Sequence, residues 1–162
     1  MTRGFLPAVS GLGAALATLI LSLPAGATAP AQTQPQQLPD GPGKAVVERI
    51  CLGCHGAEVV VLERSVPVWR ETLELMKGFG AVATDDEWKT IHAYVLSNLA
   101  SLNANRAPAD EFAAVFLIDA DAAVGVVAHR EKAGGFKTID DLKKAPGLDA
   151  GRVDAAKDRI SF

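Results

Sequence analysis

This 162-residue sequence contains few of the residues that build closed metal sites: two cysteines, three histidines and two methionines. A structural zinc site needs four ligands, and His92 and His129, which lie apart from the cysteines, have no spacing that would supply them. The formal net charge is only −3, so the composition does not favour a general binder of nucleic acid or of an anionic membrane. No nucleophile or acid–base constellation stands out, and we expect no independent enzymatic activity.

The two cysteines and the third histidine are concentrated in one segment, Cys51-Leu52-Gly53-Cys54-His55. This C-x-x-C-H order is the signature of c-type haem attachment. A disulfide would leave the histidine unexplained, and a thioredoxin-like site would need a βαβ pattern, which the sequence does not show. We therefore predict one covalent haem, held through thioethers by Cys51 and Cys54, with His55 as the proximal iron ligand.

The N-terminus has the parts of a secretory signal peptide. A short basic stretch ending at Arg3 precedes the apolar segment 5–23, and Ala25-Gly26-Ala27 supplies small residues for cleavage. We predict a signal peptide over residues 1–27 and a periplasmic location, where bacterial c-type haems are attached. A retained anchor is the alternative, since the apolar run approaches the roughly 20 residues that span a bilayer. Residues 28–40, rich in Pro and Gln, predict a flexible linker.

Two helices are predicted to enclose the haem within residues 41–102. Apolar residues recur at helical spacing over residues 43–50 and lead directly to Cys51. The second helix begins with a capping box, Thr84 with Glu87, and Tyr94 flanks its apolar stripe. The stripe consists of Trp88, Ile91, Val95 and Leu99.

Met76 is the only methionine besides the initiator, and it lies between these helices in a predicted short helix, 68–76. A thioether suits haem iron, and Met/His ligation raises the reduction potential. We predict Met76 as the distal iron ligand. The alternatives are His92, an open sixth position, and an ordinary core-filling role for the methionine.

These residues, together with Trp69, Gly80-Ala81 and Ile91-x-x-Tyr94, resemble small class I cytochromes c over about residues 45–99. The most similar members are the haem domains attached to quinohaem and molybdenum dehydrogenases. The resemblance implies an all-α fold whose first and last helices cross beside the haem, Met76 as sixth ligand, and Trp69 at the haem edge. Core packing is the alternative for Trp69.

Two arginines and one loop segment are further candidates for contact with the haem. Arg64 and Arg70 are candidates for pairing with haem propionates, because a guanidinium fork matches a carboxylate; plain surface exposure is the alternative. The loop from His55 to Met76 is short for this fold, and its segment 58–64 is unusually apolar; we expect that segment to cover a face of the haem.

Residues 103–162 predict four helices in two pairs. The first pair is predicted over 107–116 and 120–132, and Gly134-Gly135 ends its second helix. In the second pair, Thr138 caps one helix and Asp149 caps the other, which continues through Ile160. Phe136 is placed to fill the core between the pairs. The pattern resembles a paired helix-hairpin-helix domain of the competence-type DNA-uptake kind, on four motifs: Asn105-x-Ala107, Ala123-x-x-Val126-Val127-x-x-Arg130-Glu131, Gly135–Leu142 and Pro146-Gly147-Leu148.

The same residues lack the features with which such domains hold DNA. A glycine turn normally presents backbone N–H groups to a phosphate at a helix N-terminus. The first predicted turn has no glycine and carries Asp119 and Asp121, and Gly147 in the second is followed by Asp149. Acidic residues slightly outnumber basic ones over 103–162, so no basic footprint forms, although Lys132, Lys137, Lys143 and Lys144 could cluster locally.

Together these features predict an all-α protein, with a cytochrome c haem domain over 41–102 and a helix-hairpin-helix domain over 103–162. The predicted function is a periplasmic monohaem cytochrome that carries electrons, with the second domain docking a redox partner such as a dehydrogenase or oxidase. One alternative is the electron-accepting subunit of a periplasmic dehydrogenase. Another is a haem-bearing DNA-binding or uptake protein.

Overall fold

The computed structural model describes Met1 and residues 37–162. The predicted signal peptide, apart from Met1, and residues 28–36 of the predicted linker lie outside the described residues. From residue 37 the chain is mostly helical, with eight α-helices: α1 (Lys44–Cys51), α2 (Ala57–Val60), α3 (Val66–Gly78), α4 (Asp85–Asn98), α5 (Ala109–Phe116), α6 (Ala120–Ala133), α7 (Ile139–Leu142) and α8 (Ala150–Ala156). Three short strands, β1 (Arg64–Ser65), β2 (Ala100–Asn103) and β3 (Ile160–Ser161), form a parallel sheet in the order β1-β2-β3.

The sheet corrects the prediction of an all-α fold. Strand β2 passes through the core, where Ala100 and Leu102 are buried, and buried backbone groups need hydrogen-bond partners. The flanking strands supply such partners on both sides. Ile160 was predicted on the last helix, but α8 ends at Ala156, and a 3₁₀ turn leads the chain into β3.

Helix α1 packs directly against α4 near its start. Gly43, which precedes α1, has a φ of 95°, and a Cβ atom there would lie 3.0 Å from Thr90 Cγ2 and 3.1 Å from Tyr94 Cβ. Only glycine combines this left-handed conformation with so close an approach. An ion pair between Arg49 and Glu87 joins the same two helices.

Helix α4 begins as predicted. Glu87 N donates to Thr84 Oγ1 at 3.3 Å, and Thr84 N donates to Glu87 Oε2 at 2.8 Å, which completes the capping box. Among the predicted stripe residues, Ile91, Val95 and Leu99 are buried. This confirms the predicted core face of the helix.

Tyr94 is more central than its predicted position beside the stripe. Its side chain is only 1% exposed, and its hydroxyl donates to the Pro39 carbonyl oxygen at 2.5 Å. Leu38 is buried as well. The last residues of the predicted flexible linker are therefore packed on α4, because a buried phenol needs an acceptor and Pro39 provides it.

The C-terminal part consists of two helical hairpins, α5 with α6 and α7 with α8. The predicted caps are present: Thr138 Oγ1 accepts from Asp141 N, and Asp149 Oδ1 accepts from Arg152 N. Phe136 is buried between the hairpins as predicted. Its backbone is held on both sides by the Asn105 amide, through two hydrogen bonds of 2.8 Å each.

Helices α5 and α6 bear on whether this part of the chain could enter a membrane. No single helix in residues 37–162 is long and apolar enough to cross a bilayer. Helices α5 and α6 reach the length and hydropathy of a membrane-spanning helix only when they are taken together, and this pair is bent by 119°. Their residues Phe112, Phe116 and Val126 are buried in the core.

Candidate functional site

A cavity of about 360 Å³ lies among α1, α2, α3 and α4. Its volume falls in the range of small-molecule and cofactor sites. The walls are largely apolar, with Ile50 from α1, Val60 from α2 and Val95 from α4 among the lining residues. The cavity therefore suits an apolar ligand.

The C-x-x-C-H segment forms one wall of this cavity. Cys51 is the last residue of α1, and Cys54 and His55 follow in the turn after it; all three line the cavity. The two cysteines are free thiols, Cys51 half-buried and Cys54 exposed. Burial raises the pKa of the Cys51 thiol. Both sulfurs are thus unpaired and next to the apolar space.

Helix α3 contributes a second wall and carries Met76. Trp69, Thr72, Leu73 and Met76 all line the cavity, and their spacing of i, i+3, i+4 and i+7 places them on one helix face. The sequence prediction named Trp69 and Met76 and missed the other two. The same helical periodicity could have identified Thr72 and Leu73, because both lie on the helix face that carries Trp69 and Met76. The periodicity continues beyond the predicted helix end to Phe79, which also lines the cavity.

The third feature of the site is a buried hydrogen-bond donor at its edge. Trp69 is 4% exposed, and its Nε1–H has no hydrogen-bond partner among the described residues. The Arg64 guanidinium lies 4.6 Å from the centre of the Trp69 ring, a cation–π distance. Buried donors are normally satisfied, so the Trp69 N–H calls for an acceptor from a ligand, and the Arg64 cation favours an anionic one.

The lining residues fit a haem by chemistry. Two unpaired thiols would bond to the two vinyl groups, and histidine and methionine are both residue types that would ligate its iron. The Trp69 N–H and the Arg64 cation match a propionate. In residues 37–162 no three His, Cys, Asp or Glu side chains converge as ligands of a free metal ion.

Two other predicted candidates lie outside the cavity lining. His92 is half-buried on α4, with Nε2 3.8 Å from Glu74 Oε1, and burial lowers the pKa of its imidazole. Arg70 Nη1 donates to Asp110 Oδ2 at 2.7 Å, an ion pair between α3 and α5. Of the two arginines, only Arg64 reaches the cavity.

The two hairpin turns place carboxylates at the helix N-termini. Asp119 Oδ1 accepts from Ala122 N at 2.7 Å, and Asp149 Oδ1 accepts from Arg152 N at 2.9 Å. Gly147, with a φ of 83°, brings the second turn against α6, where an added Cβ would lie 2.9 Å from Ala122 Cβ. The N–H groups that a phosphate would use are therefore partly occupied.

Several basic residues of this part are engaged with the protein itself. Arg130 Nη1 donates to the carbonyl oxygens of Ala104 and Ala107, at 3.2 Å and 2.6 Å. Lys143 pairs with Asp154 at 2.6 Å and Lys144 with Asp141 at 3.0 Å. These contacts reduce the positive charge available to a polyanion.

Residues 97–161 match the family model of the helix-hairpin-helix motif. The match begins in the last turn of α4, slightly before the predicted boundary at 103, and includes both hairpins and most of the sheet. No curated protein and no solved structure matches the chain. The chain thus contains a helix-hairpin-helix domain, and the resemblance of its first part to class I cytochromes c stays a prediction.

Proposed function

We propose that this protein is an exported monohaem c-type cytochrome that carries electrons. The observation that supports this most is that Cys51, Cys54, His55 and Met76 all line one largely apolar cavity. In this proposal the two cysteines hold the haem, and His55 and Met76 ligate its iron. When bound, the haem supplies the one-electron chemistry.

The surrounding side chains have defined roles in the same proposal. Val60, Leu73 and Val95 exclude water, and burial of this kind tunes a reduction potential. The Trp69 N–H and the Arg64 guanidinium hold an anionic edge of the ligand. Electron transfer needs a positioned and partly exposed ligand edge, and two residues that line the cavity, Cys54 and Phe79, are exposed to solvent.

The haem-loaded state is tested by expressing the full chain in a host that attaches c-type haems. We expect one haem per chain in the denatured protein, by the pyridine haemochrome spectrum. Cys51→Ser with Cys54→Ser should abolish covalent attachment. Met76→Ala should retain the haem and lose the weak far-red charge-transfer band of thioether-ligated ferric haem. A wild-type chain that carries no haem under these conditions would contradict the proposal.

In this proposal the helix-hairpin-helix domain docks a redox partner, such as a periplasmic dehydrogenase. Co-purification from periplasm with a larger catalytic chain, lost when the exposed side chains Leu117 and Val124 of this domain are both changed to serine, would support that role. Capture of the partner by this variant at wild-type level would assign docking to another surface of the protein.

DNA binding is a second candidate function, favoured by the match of residues 97–161 to a motif typical of DNA-binding proteins. The aspartate caps of both turns oppose it, since Asp119 and Asp149 place negative charge where a phosphate would sit. Gel retardation of duplex DNA at low salt tests this candidate, because phosphate contacts weaken steeply with salt. Salt-sensitive retardation by the wild-type chain would establish it, and no retardation at low salt would exclude it.

A further inference from the structure

The parallel sheet connects the wall of the cavity to the C-terminal domain. Strand β2 pairs with β1 through Arg64↔Ala100 and Ser65↔Ser101. The other half of β2 pairs with β3, where Leu102 is opposite Ile160. One four-residue strand therefore holds a segment of the first domain on one side and the end of the chain on the other.

Arg159 fastens the end of the chain to the start of β2. Its Nη2 donates to the Ser97 carbonyl oxygen at 2.9 Å, and its Nη1 donates to the Ala100 carbonyl oxygen. Carbonyl groups at a helix C-terminus lack partners within the helix, and a guanidinium forms stronger hydrogen bonds than a neutral donor. Ala100, which Arg159 holds, is the residue that pairs with Arg64.

Arg64 transmits this constraint to the cavity. Its Nη1 donates to the carbonyl oxygens of Val59 and Leu62, at 3.3 Å and 3.2 Å, and its guanidinium lies over the Trp69 ring. Val59, Arg64 and Trp69 line the cavity. A continuous series of contacts thus runs from Arg159 through β2 and Arg64 to the cavity wall.

We propose that the C-terminal domain positions the cavity wall formed by residues 59–65, and that Arg159 is the positioning residue. The coupling between Arg159 and the wall does not depend on the ligand, whereas its effect on a haem rests on the proposed function. In this role the helix-hairpin-helix domain is a structural part of the cofactor site.

The matched comparison is Arg159→Ala with Arg152→Ala. Arg152 also fastens a helix C-terminus, through Nη1 to the carbonyl oxygens of Phe116 at 2.6 Å and Leu117 at 3.1 Å, but these contacts join α8 to the first hairpin and involve no residue of the sheet. Hydrogen exchange is measured on the full chain, with and without haem. Arg159→Ala should speed exchange in residues 59–65 and 100–103 at least about tenfold, as expected for the loss of two charge-assisted hydrogen bonds.

Arg152→Ala should leave exchange in residues 59–65 unchanged and act near residues 113–118. If Arg159→Ala affects only residues 157–162, or if both variants speed exchange equally throughout, the positioning role is wrong. Should Arg159→Ala fail to fold, Arg159→Lys provides the test, because a lysine keeps the charge and loses the planar fork. It should give the same pattern at smaller amplitude, and unchanged exchange in residues 59–65 would equally overturn the proposal.

The second readout is the reduction potential of the haem-loaded chain. Greater water access to the site should lower the potential in Arg159→Ala relative to Arg152→Ala. A chain that takes up no haem contradicts the proposed function and leaves the exchange result intact. Normal haem loading with no difference in exchange contradicts only the positioning role.

Discussion

The two parts of the molecule satisfy their polar and apolar groups in different ways. In the first part, Phe79 and Val82 are 79% and 83% exposed, and the buried Trp69 N–H has no partner among the described residues. In the second, the most exposed large apolar side chain is Val124, at 59%, and Arg130 and Arg152 are bonded to backbone carbonyls. An unpaired buried donor calls for a partner, which a ligand can supply. Both parts contribute to one continuous core, but the basic side chains of the second part are bonded within the protein, whereas the first part leaves a buried donor unpaired beside its cavity.

The largest expected effect tests whether the stability of the second part is independent of the ligand. Phe136→Ala should lower the free energy of unfolding by about 3–5 kcal/mol, because a buried aromatic ring is lost and a cavity remains. Urea denaturation measures this loss. The loss should be the same in haem-loaded and haem-free protein.

Phe162→Ala is the control, since Phe162 is 40% exposed; its effect should stay within about 0.5 kcal/mol. If the loss of unfolding free energy in Phe136→Ala changed strongly with haem loading, the core of the second part would depend on the ligand, and the two parts would not differ as described.

The next effect concerns alkaline pH and the anchoring of residues 38–40 on α4. Burial raises the pKa of Tyr94 from 10.0 to about 12. The folded state therefore favours the neutral phenol, so this contribution to stability is complete below pH 10 and is lost between pH 10 and about 12. The loss should reach about 2 kcal/mol.

Denaturation at pH 8 to 11.5 measures this loss, and the absorbance of tyrosinate follows the titration cleanly because the chain has one tyrosine. Tyr94→Phe should lose about 1 kcal/mol at neutral pH with the hydrogen bond to Pro39, and it should lack the Tyr94 part of the alkaline decline. A tyrosinate transition near pH 10 in the folded protein would show that the phenol is not held in this environment.

The smallest expected effect concerns the unpaired Trp69 N–H beside the cavity. Trp69→Phe should destabilise the haem-loaded protein by about 1–2 kcal/mol more than the haem-free protein, because only the former offers an acceptor to the N–H. The cost of the smaller ring is common to both forms and cancels in the difference. Trp88→Phe is the matched control within the same cavity, since no buried unpaired N–H is lost there, and it should show no such difference. Equal costs for Trp69→Phe in both forms would mean that the ligand leaves the donor unpaired.

Sequence reasoning succeeded where the determining signal is local. Thr84 with Glu87, Thr138 and Asp149 each begin a helix where predicted, because a side-chain cap acts on N–H groups two or three residues away. The clustering of Cys51 and His55 likewise follows from their adjacency. Residues that are adjacent in the sequence are necessarily close together in the fold.

The missed features depend on contacts far apart in the chain. Strand β1 has two residues and no alternating pattern, so its pairing with β2 leaves no local signal. The burial of Leu38 and the ion pair of Arg70 with Asp110 arise in the same way, from surfaces that meet only after folding. Ile160 fits a helical repeat but belongs to a strand, because β2 requires a partner there.

The order of pairing in the small sheet also has a consequence for the folding pathway. Arg64 must find Ala100, and Leu102 must find Ile160 near the end of the chain. Non-local parallel pairing forms slowly, because a long loop must close before any contact is gained. We therefore expect the sheet to be among the last parts of the protein to become ordered, since its third strand forms only when the final residues have docked.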